Sequence, residues 1–187
     1  DFAALRATLN RSTTADELVS RGEYFTARMM AEYLGYDFVD AADCVFFGFD
    51  GQFDLEKTYA AIREAASRGK GIVMPGFYGS LPSGKVKCMT RGGSDISGAL
   101  AAAAIDADVY ENWTDVSGFL VTDPRIIDNP KPITTITYRE LRELSYMGFS
   151  VLHEDAIFPV RREGIPINIR NTNAPEDNGT WIVGSTC

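Results

Sequence analysis

Apolar residues recur at close to helical spacing between Thr14 and Gly35, at Leu18, Phe25, Met29, Met30 and Leu34. Thr14-Ala15-Asp16-Glu17 reads as a capping box that opens this helix, and Gly35 as the residue that stops it. Cys44 to Phe47 is a short apolar run, predicted as a strand. Leu55 to Arg68 carries Leu55, Tyr59, Ile62 and Ala66 on one face, an amphipathic helix closed by Gly69. Gly71 to Met74 reads as a buried strand that runs into the turn-rich Pro75-Gly76-Phe77-Tyr78-Gly79. Ser83 to Lys87 is predicted as a solvent-exposed excursion. A helix follows through Ile96, Ala99, Leu100 and Ala101 to Ala104, its small residues suited to lying close against a sheet. Asp108 to Trp113 is a strand, Tyr138 to Met147 a helix stopped by Gly148, and Val151-Leu152-His153 leads into a helix reaching Arg162. Ile165 to Arg170 and Thr180 to Val183 are late strands, and residues 1–12 show no clear period. Strands alternating with helices predict an α/β fold: a three-layer αβα sandwich around a mainly parallel sheet.

The 187 residues, 45% of them apolar, suffice for one domain with a substantial core, taken here as 1–187. No apolar run approaches the ~20 residues of a membrane span, so no membrane partner is expected. With 18 basic and 26 acidic residues the net charge is −8, which disfavours nucleic acid as partner but leaves room for a small anion. Cys44, Cys88 and Cys187 are odd in number and widely spaced. That pattern suits a reducing, cytoplasmic setting and offers no zinc motif. His153 is the sole histidine, which excludes histidine-cluster mechanisms; alone it reads as a helix-start or packed residue. No residue is assigned as a metal ligand.

Chemistry concentrates at Thr90-Arg91-Gly92-Gly93-Ser94-Asp95. Two glycines let backbone approach a ligand, Ser94 or Asp95 serves as N-cap, and the helix start offers N–H groups to an anion. Arg91 adds a planar fork for a carboxylate or phosphate. A plain glycine turn before a capped helix is the competing reading. Glu23 is either a solvated helix residue or faces a ligand across Gly22. After the strand ending at Trp113, Asp115, Asp123 and Arg125 either hold a Mg²⁺-nucleotide or form a polar turn.

Pro75 to Gly79, Arg91 to Asp95, Trp113-Thr114-Asp115-Val116, Thr122-Asp123-Pro124-Arg125, and Gly148 with Val151-Leu152-His153 together resemble the aspartate kinase branch of the amino acid kinase family. Asn171-Thr172 and Gly179-Thr180 fit as well, with order and spacing in register from about Glu23 onward. The resemblance implies ATP-dependent phosphorylation of the L-aspartate side-chain carboxylate to 4-phospho-L-aspartate, a step toward lysine, threonine and methionine. It implies an α-carboxylate partner in Arg91 and an α-amino partner in Glu23. It places the backbone of Phe77, Gly92, Gly93 and Ser94 along the substrate. Ser94 and Asp95 stand beside the reacting carboxylate, so that Arg91 and Asp95 are the catalytic candidates. Thr114, Asp115, Leu120, Asp123, Pro124 and Arg125 are implied to hold ATP, with Mg²⁺, in a homo-oligomer, expected as a dimer.

Four departures from the family pattern stand out. The Lys-Phe-Gly-Gly motif of its first strand is absent here, as are its C-terminal ACT domains. Ser150 stands where many members carry lysine, and Leu120 where tyrosine is frequent. Asp1 stands where an initiator methionine would, and no signal peptide is seen. The chain therefore reads as part of a catalytic domain, expected to show little kinase activity by itself and to self-associate through an unpaired sheet edge. Robust aspartate-dependent ADP release would refute the first expectation, and a monodisperse monomer the second. Another amino acid kinase specificity, or a non-catalytic nucleotide- or aspartate-binding module, are the alternatives.

Overall fold

Helix α1 (Ala15–Leu34) begins where the capping box predicts, the Thr14 hydroxyl accepting from Glu17 N at 3.2 Å. Asp16 and Glu17 in its first turn complement the helix dipole. It ends at Gly35, whose φ of 69° frees Tyr36 N to donate back to Ala31 O at 2.9 Å. The computed structural model describes residues 3, 6–7, 10, 13–90, 92–122, 130–146, 152 and 154–185. They divide into two compact units, Asp1–Gly93 and Ser94–Cys187.

In the first unit, β1 (Asp37–Phe38) pairs in parallel with β2 (Ile72–Val73), and α2 (Ala41–Cys44) follows β1 directly. Helix α3 (Leu55–Ala66) is capped by Asp54, which accepts from Lys57 N at 3.1 Å. It buries Thr58, Ile62 and Ala65, while Leu55, Tyr59 and Ala66 are half-buried. β3 (Tyr78–Ser80) and β4 (Val86–Cys88) form an antiparallel hairpin.

Two expectations fail in this unit, and a third holds only for Ser83 to Lys85, which are exposed. The apolar face read on α1 points to solvent: Leu18, Met29, Met30 and Leu34 are 43% to 64% exposed, and Phe25 is half-buried. Ser20, Ala27 and Ala31 are buried instead, because β1, β2 and β4 pack against this helix and leave room only for small side chains. Cys44 to Phe47 is not one strand: Asp40 accepts from Ala42 N at 3.0 Å and winds 41–44 into helix α2. Extended backbone starts one residue later, with bridges at Phe46 and Phe47. The excursion predicted at Ser83 to Lys87 ends in β4, because Gly84 (φ 79°) turns the chain back onto β3.

The second unit begins one residue into helix α4 (Gly93–Ala104). Its sheet runs in the order β5 (Tyr110–Thr114), β7 (Ile167–Asn171), β8 (Thr180–Val183), β6 (Thr135–Thr137). β5 with β7 and β6 with β8 are parallel; β7 with β8 is antiparallel. Residues 172–179 are too short for a crossover, which takes a dozen or so residues, so β8 turns back beside β7. Helices α5 (Tyr138–Tyr146) and α6 (Glu154–Glu163) close the unit. Its core joins Ala99 and Ala102 of α4 to Phe119, Ile136, Leu141, Ile157, Val160, Ile167, Ile169 and Ile182. The alanine-rich face of α4 thus does what its composition predicts. Among the described residues three of the five ladders are parallel, which suits an α/β protein. Gly148, Ser150, Val151 and His153 lie outside the described residues.

Candidate functional site

Within the first unit, two of the sequence motifs meet as backbone. Phe77 takes a φ of 59°, rare for a residue with a side chain, and Gly92 a φ of 76°. A Cβ on Gly93 would lie 2.8 Å from Phe77 Cβ and 2.9 Å from Met89 Cβ, so only glycine fits there. Met89 N donates to Phe77 O at 2.7 Å and fixes the approach. Glu23 is half-buried on α1, beside Gly22, around whose missing Cβ nothing lies within 4 Å.

Sequence reasoning missed the polar cluster of this unit. Arg21 lies over the rings of Tyr24 (4.7 Å) and Tyr78 (5.5 Å). The fully buried Tyr78 donates to Asp40 Oδ1 at 2.7 Å. Burial first, then that bond and the Asp40 charge, push the phenol's pKa far up, so it remains a donor. Cys88 N donates to Asp16 Oδ2 at 3.1 Å, tying β4 to α1. The available signal was Tyr78 itself, the polar-tipped member of the Pro75 to Gly79 run.

In the second unit, Ser94 and Asp95 sit inside the first turn of α4 and are not its N-cap, because the glycine-led turn starts the helix at Gly93. Asp95 is held by β5: Asn112 Nδ2 donates to Asp95 Oδ1 at 2.9 Å, and the Tyr110 hydroxyl donates to the Asp95 carbonyl at 3.2 Å. Thr114 ends β5; its hydroxyl donates to Asp115 Oδ1 at 3.3 Å, and its carbonyl accepts from Thr172 N and Oγ1 at 2.8 and 3.0 Å. Beside it, Asn171 Nδ2 donates to Ser117 Oγ (2.9 Å), which donates to Asp177 Oδ2 (2.6 Å). Sequence reading passed over Ser117, Asp177 and Asn112 as site residues. Leu120 is half-buried in a bridge with Pro132. Trp113 points to the exposed side of β5, with Arg170 over its ring at 4.9 Å. Arg91, Asp123, Pro124 and Arg125 lie outside the described residues.

Gly179 and Thr180 are structural. A Cβ on Gly179 (φ 64°) would fall 1.8 Å from Ile169 O. The buried Thr180 hydroxyl accepts from Phe119 N at 2.8 Å and donates to Ile133 O.

Mostly parallel strands among helices, with a glycine-led helix start and a polar strand end, define an α/β protein. The chain belongs to the amino acid kinase family, whose sequence profile matches residues 3–171. It is 39% identical over 176 residues to aspartokinase 3 of Bacillus subtilis, covering 90% of this chain and 39% of that protein. Its fold is similar to the crystal structure of Clostridium acetobutylicum aspartate kinase, with a TM-score of 0.88 and 55% identity, covering 91% of this chain and 39% of that one. E. coli aspartokinase III in complex with aspartate and ADP gives 0.78 and 28% identity, covering 92% and 41%. The chain thus spans about 40% of the length of these relatives.

Proposed function

We propose that this chain carries the substrate-recognition machinery of an aspartate kinase: transfer of the ATP γ-phosphoryl group to the side-chain carboxylate of L-aspartate. The observation that carries the reading is Phe77, held at a φ of 59° and packed so closely on Gly93 that any Cβ there would lie 2.8 Å from Phe77 Cβ. Strained backbone of this kind clusters at ligand sites, and N–H groups at a helix start suit an anion. The aspartate and ADP in E. coli aspartokinase III support the same assignment. In this reading Arg91 pairs with the α-carboxylate and Glu23 with the α-amino group. The backbone of Phe77, Gly92, Gly93 and Ser94 lines the substrate, and Asp95 stands by the reacting carboxylate. Thr114, Asp115, Leu120, Asp123, Pro124 and Arg125 take the nucleotide.

Transfer between two anions demands orientation and charge neutralisation more than covalent chemistry. Bound Mg²⁺ would supply part of that neutralisation. Among the described residues no group of three or more His, Cys, Asp or Glu side chains is arranged to hold a metal ion. That donor set fits an ion carried mainly by nucleotide phosphates and water, with one carboxylate such as the exposed Asp115. No described helix is long and apolar enough to cross a membrane. The free thiols of Cys44 and Cys88 support a cytoplasmic setting. The exposed apolar arc of α1 supports a homodimer, which light scattering tests.

Calorimetric titration of the folded chain with L-aspartate, with and without Mg-ATP, tests the central reading. Binding lost in both Arg91→Ala and Glu23→Ala is the expected result. Unchanged binding in those variants, or none in the folded wild type, refutes it.

A further inference from the structure

The geometry points to Asn112 as the residue that orients the Asp95 carboxylate, a positioning role that rests on the aspartate kinase reading above. Along β5 the side chains alternate: Tyr110, Asn112 and Thr114 are half-buried, Glu111 and Trp113 exposed. Tyr110 and Asn112 therefore share the side of the strand that meets the first turn of α4. Asn112 Nδ2 donates one hydrogen to Asp95 Oδ1 (2.9 Å) and the other to the Tyr110 hydroxyl oxygen (3.0 Å). That hydroxyl donates in turn to the Asp95 carbonyl (3.2 Å). A carboxylate only accepts, so the amide must turn its nitrogen toward Asp95. Both the side chain and the backbone of one first-turn residue are thus held by alternate residues of one strand.

Two features make the arrangement specific. A Cβ on Gly98 would lie 2.5 Å from the Tyr110 hydroxyl, so the glycine one turn along α4 opens the path for that phenol. Burial pushes the phenol up to about 12, so it stays a donor at neutral pH. The Asn112 bond engages Oδ1 of Asp95 and leaves Oδ2 turned by it. An exposed aspartate rotates freely, whereas a charge-assisted bond selects one rotamer before ligand arrives, and that pre-organisation returns as affinity. Aspartate at position 112 keeps the volume, leucine keeps the branched shape, and both remove the donor.

The test titrates L-aspartate in saturating Mg-ADP, and Mg-ADP alone, into wild type, Asn112→Leu and Asn112→Asp. The expected result is about tenfold weaker L-aspartate binding in Asn112→Leu, from the loss of a hydrogen bond to a charged group, with Mg-ADP affinity unchanged. Asn112→Asp, which sets a second carboxylate against Asp95, weakens L-aspartate binding further. A purely structural residue would weaken both ligands together, and that outcome overturns the role. So does equal aspartate affinity in all three proteins. Wild type that binds Mg-ADP but no L-aspartate overturns the aspartate kinase reading, and this role with it. A second measurement needs no change at 112: the Asn112 side-chain amide proton resonance moves upfield in Asp95→Asn. An unmoved resonance means the bond is absent and overturns the role alone.

Discussion

Thr180→Val tests how the second unit is held together. Thr180 is fully buried, and its hydroxyl is the shared partner of Phe119 N and Ile133 O, which approach from the segment between β5 and β6. Valine has the same shape without the hydroxyl. The substitution leaves the Phe119 N–H, on a residue only 2% exposed, without its acceptor. Each orphaned group costs about 1–3 kcal/mol. Phe119 N–H and Ile133 O are both orphaned, at about 2–6 kcal/mol together, and the added methyl returns up to ~0.8 kcal/mol, so the net loss comes to roughly 1–5 kcal/mol. Thr180→Ser keeps the hydroxyl and removes one methyl, at a cost of about 1 kcal/mol. The chain's two tryptophans, Trp113 and Trp181, both belong to the second unit. Urea unfolding followed by tryptophan fluorescence therefore reports that unit. The expected order of stability is wild type, then Thr180→Ser, then Thr180→Val. A valine variant as stable as the serine variant, or more so, refutes the assignment of the hydroxyl as a tie between segments.

Gly179→Ala sets a methyl against the backbone oxygen of Ile169 at a positive φ. It should cost more than ~3 kcal/mol, and a midpoint within 1 M urea of wild type would contradict the close approach. Glu140 accepts from Thr137 N and Oγ1 (2.7 and 2.8 Å), and the backbone bond, then the hydroxyl, lower its pKa below the usual carboxylate value. A lowered carboxylate stabilises the fold fully above its unfolded value of about 4.3 and loses that contribution as pH falls. Stability of wild type should thus fall more steeply than that of Glu140→Gln on acidification below about pH 4.3, and parallel curves would exclude these two bonds. Cys44 is buried, and burial, aided by Asp40 and Asp43, pushes its thiol up to about 12. Alkylation at pH 8 with peptide mapping should find Cys44 unmodified in the native chain and modified in urea; rapid native labelling would refute its burial.

The legible parts of the sequence were those governed by local chemistry. Thr14 and Gly35 bracket α1 because caps act within a turn, and Ala99 and Ala102 reach the core because small side chains permit close packing. β1 and β6, of two and three residues, carry too short a pattern to register. The large residues of α1 misled, since periodicity identifies an apolar face but not whether anything packs on it. The residues proposed to bind aspartate and nucleotide were legible only as a set of motifs in register. The bond from Asn112 to Asp95 spans 17 positions and exists only once β5 is laid beside α4. Gly179 and Thr180 were read with those motifs, yet their contacts explain them as sheet-closing residues.

The outward arc of α1 also affects how this protein behaves on the bench. Leu18, Val19, Met29, Met30, Tyr33 and Leu34 are all at least 43% exposed along one helix. Dyes such as anilinonaphthalene sulfonate brighten on exposed apolar surface, and that brightening is commonly taken to mean loose, molten packing. In this chain the dye should light up on a fully ordered helix, while near-ultraviolet dichroism still reports fixed aromatic side chains. Dye fluorescence alone would therefore misjudge the state of every variant described above. The useful signal is its change relative to wild type, with Met29→Glu and Met30→Glu serving to remove the background.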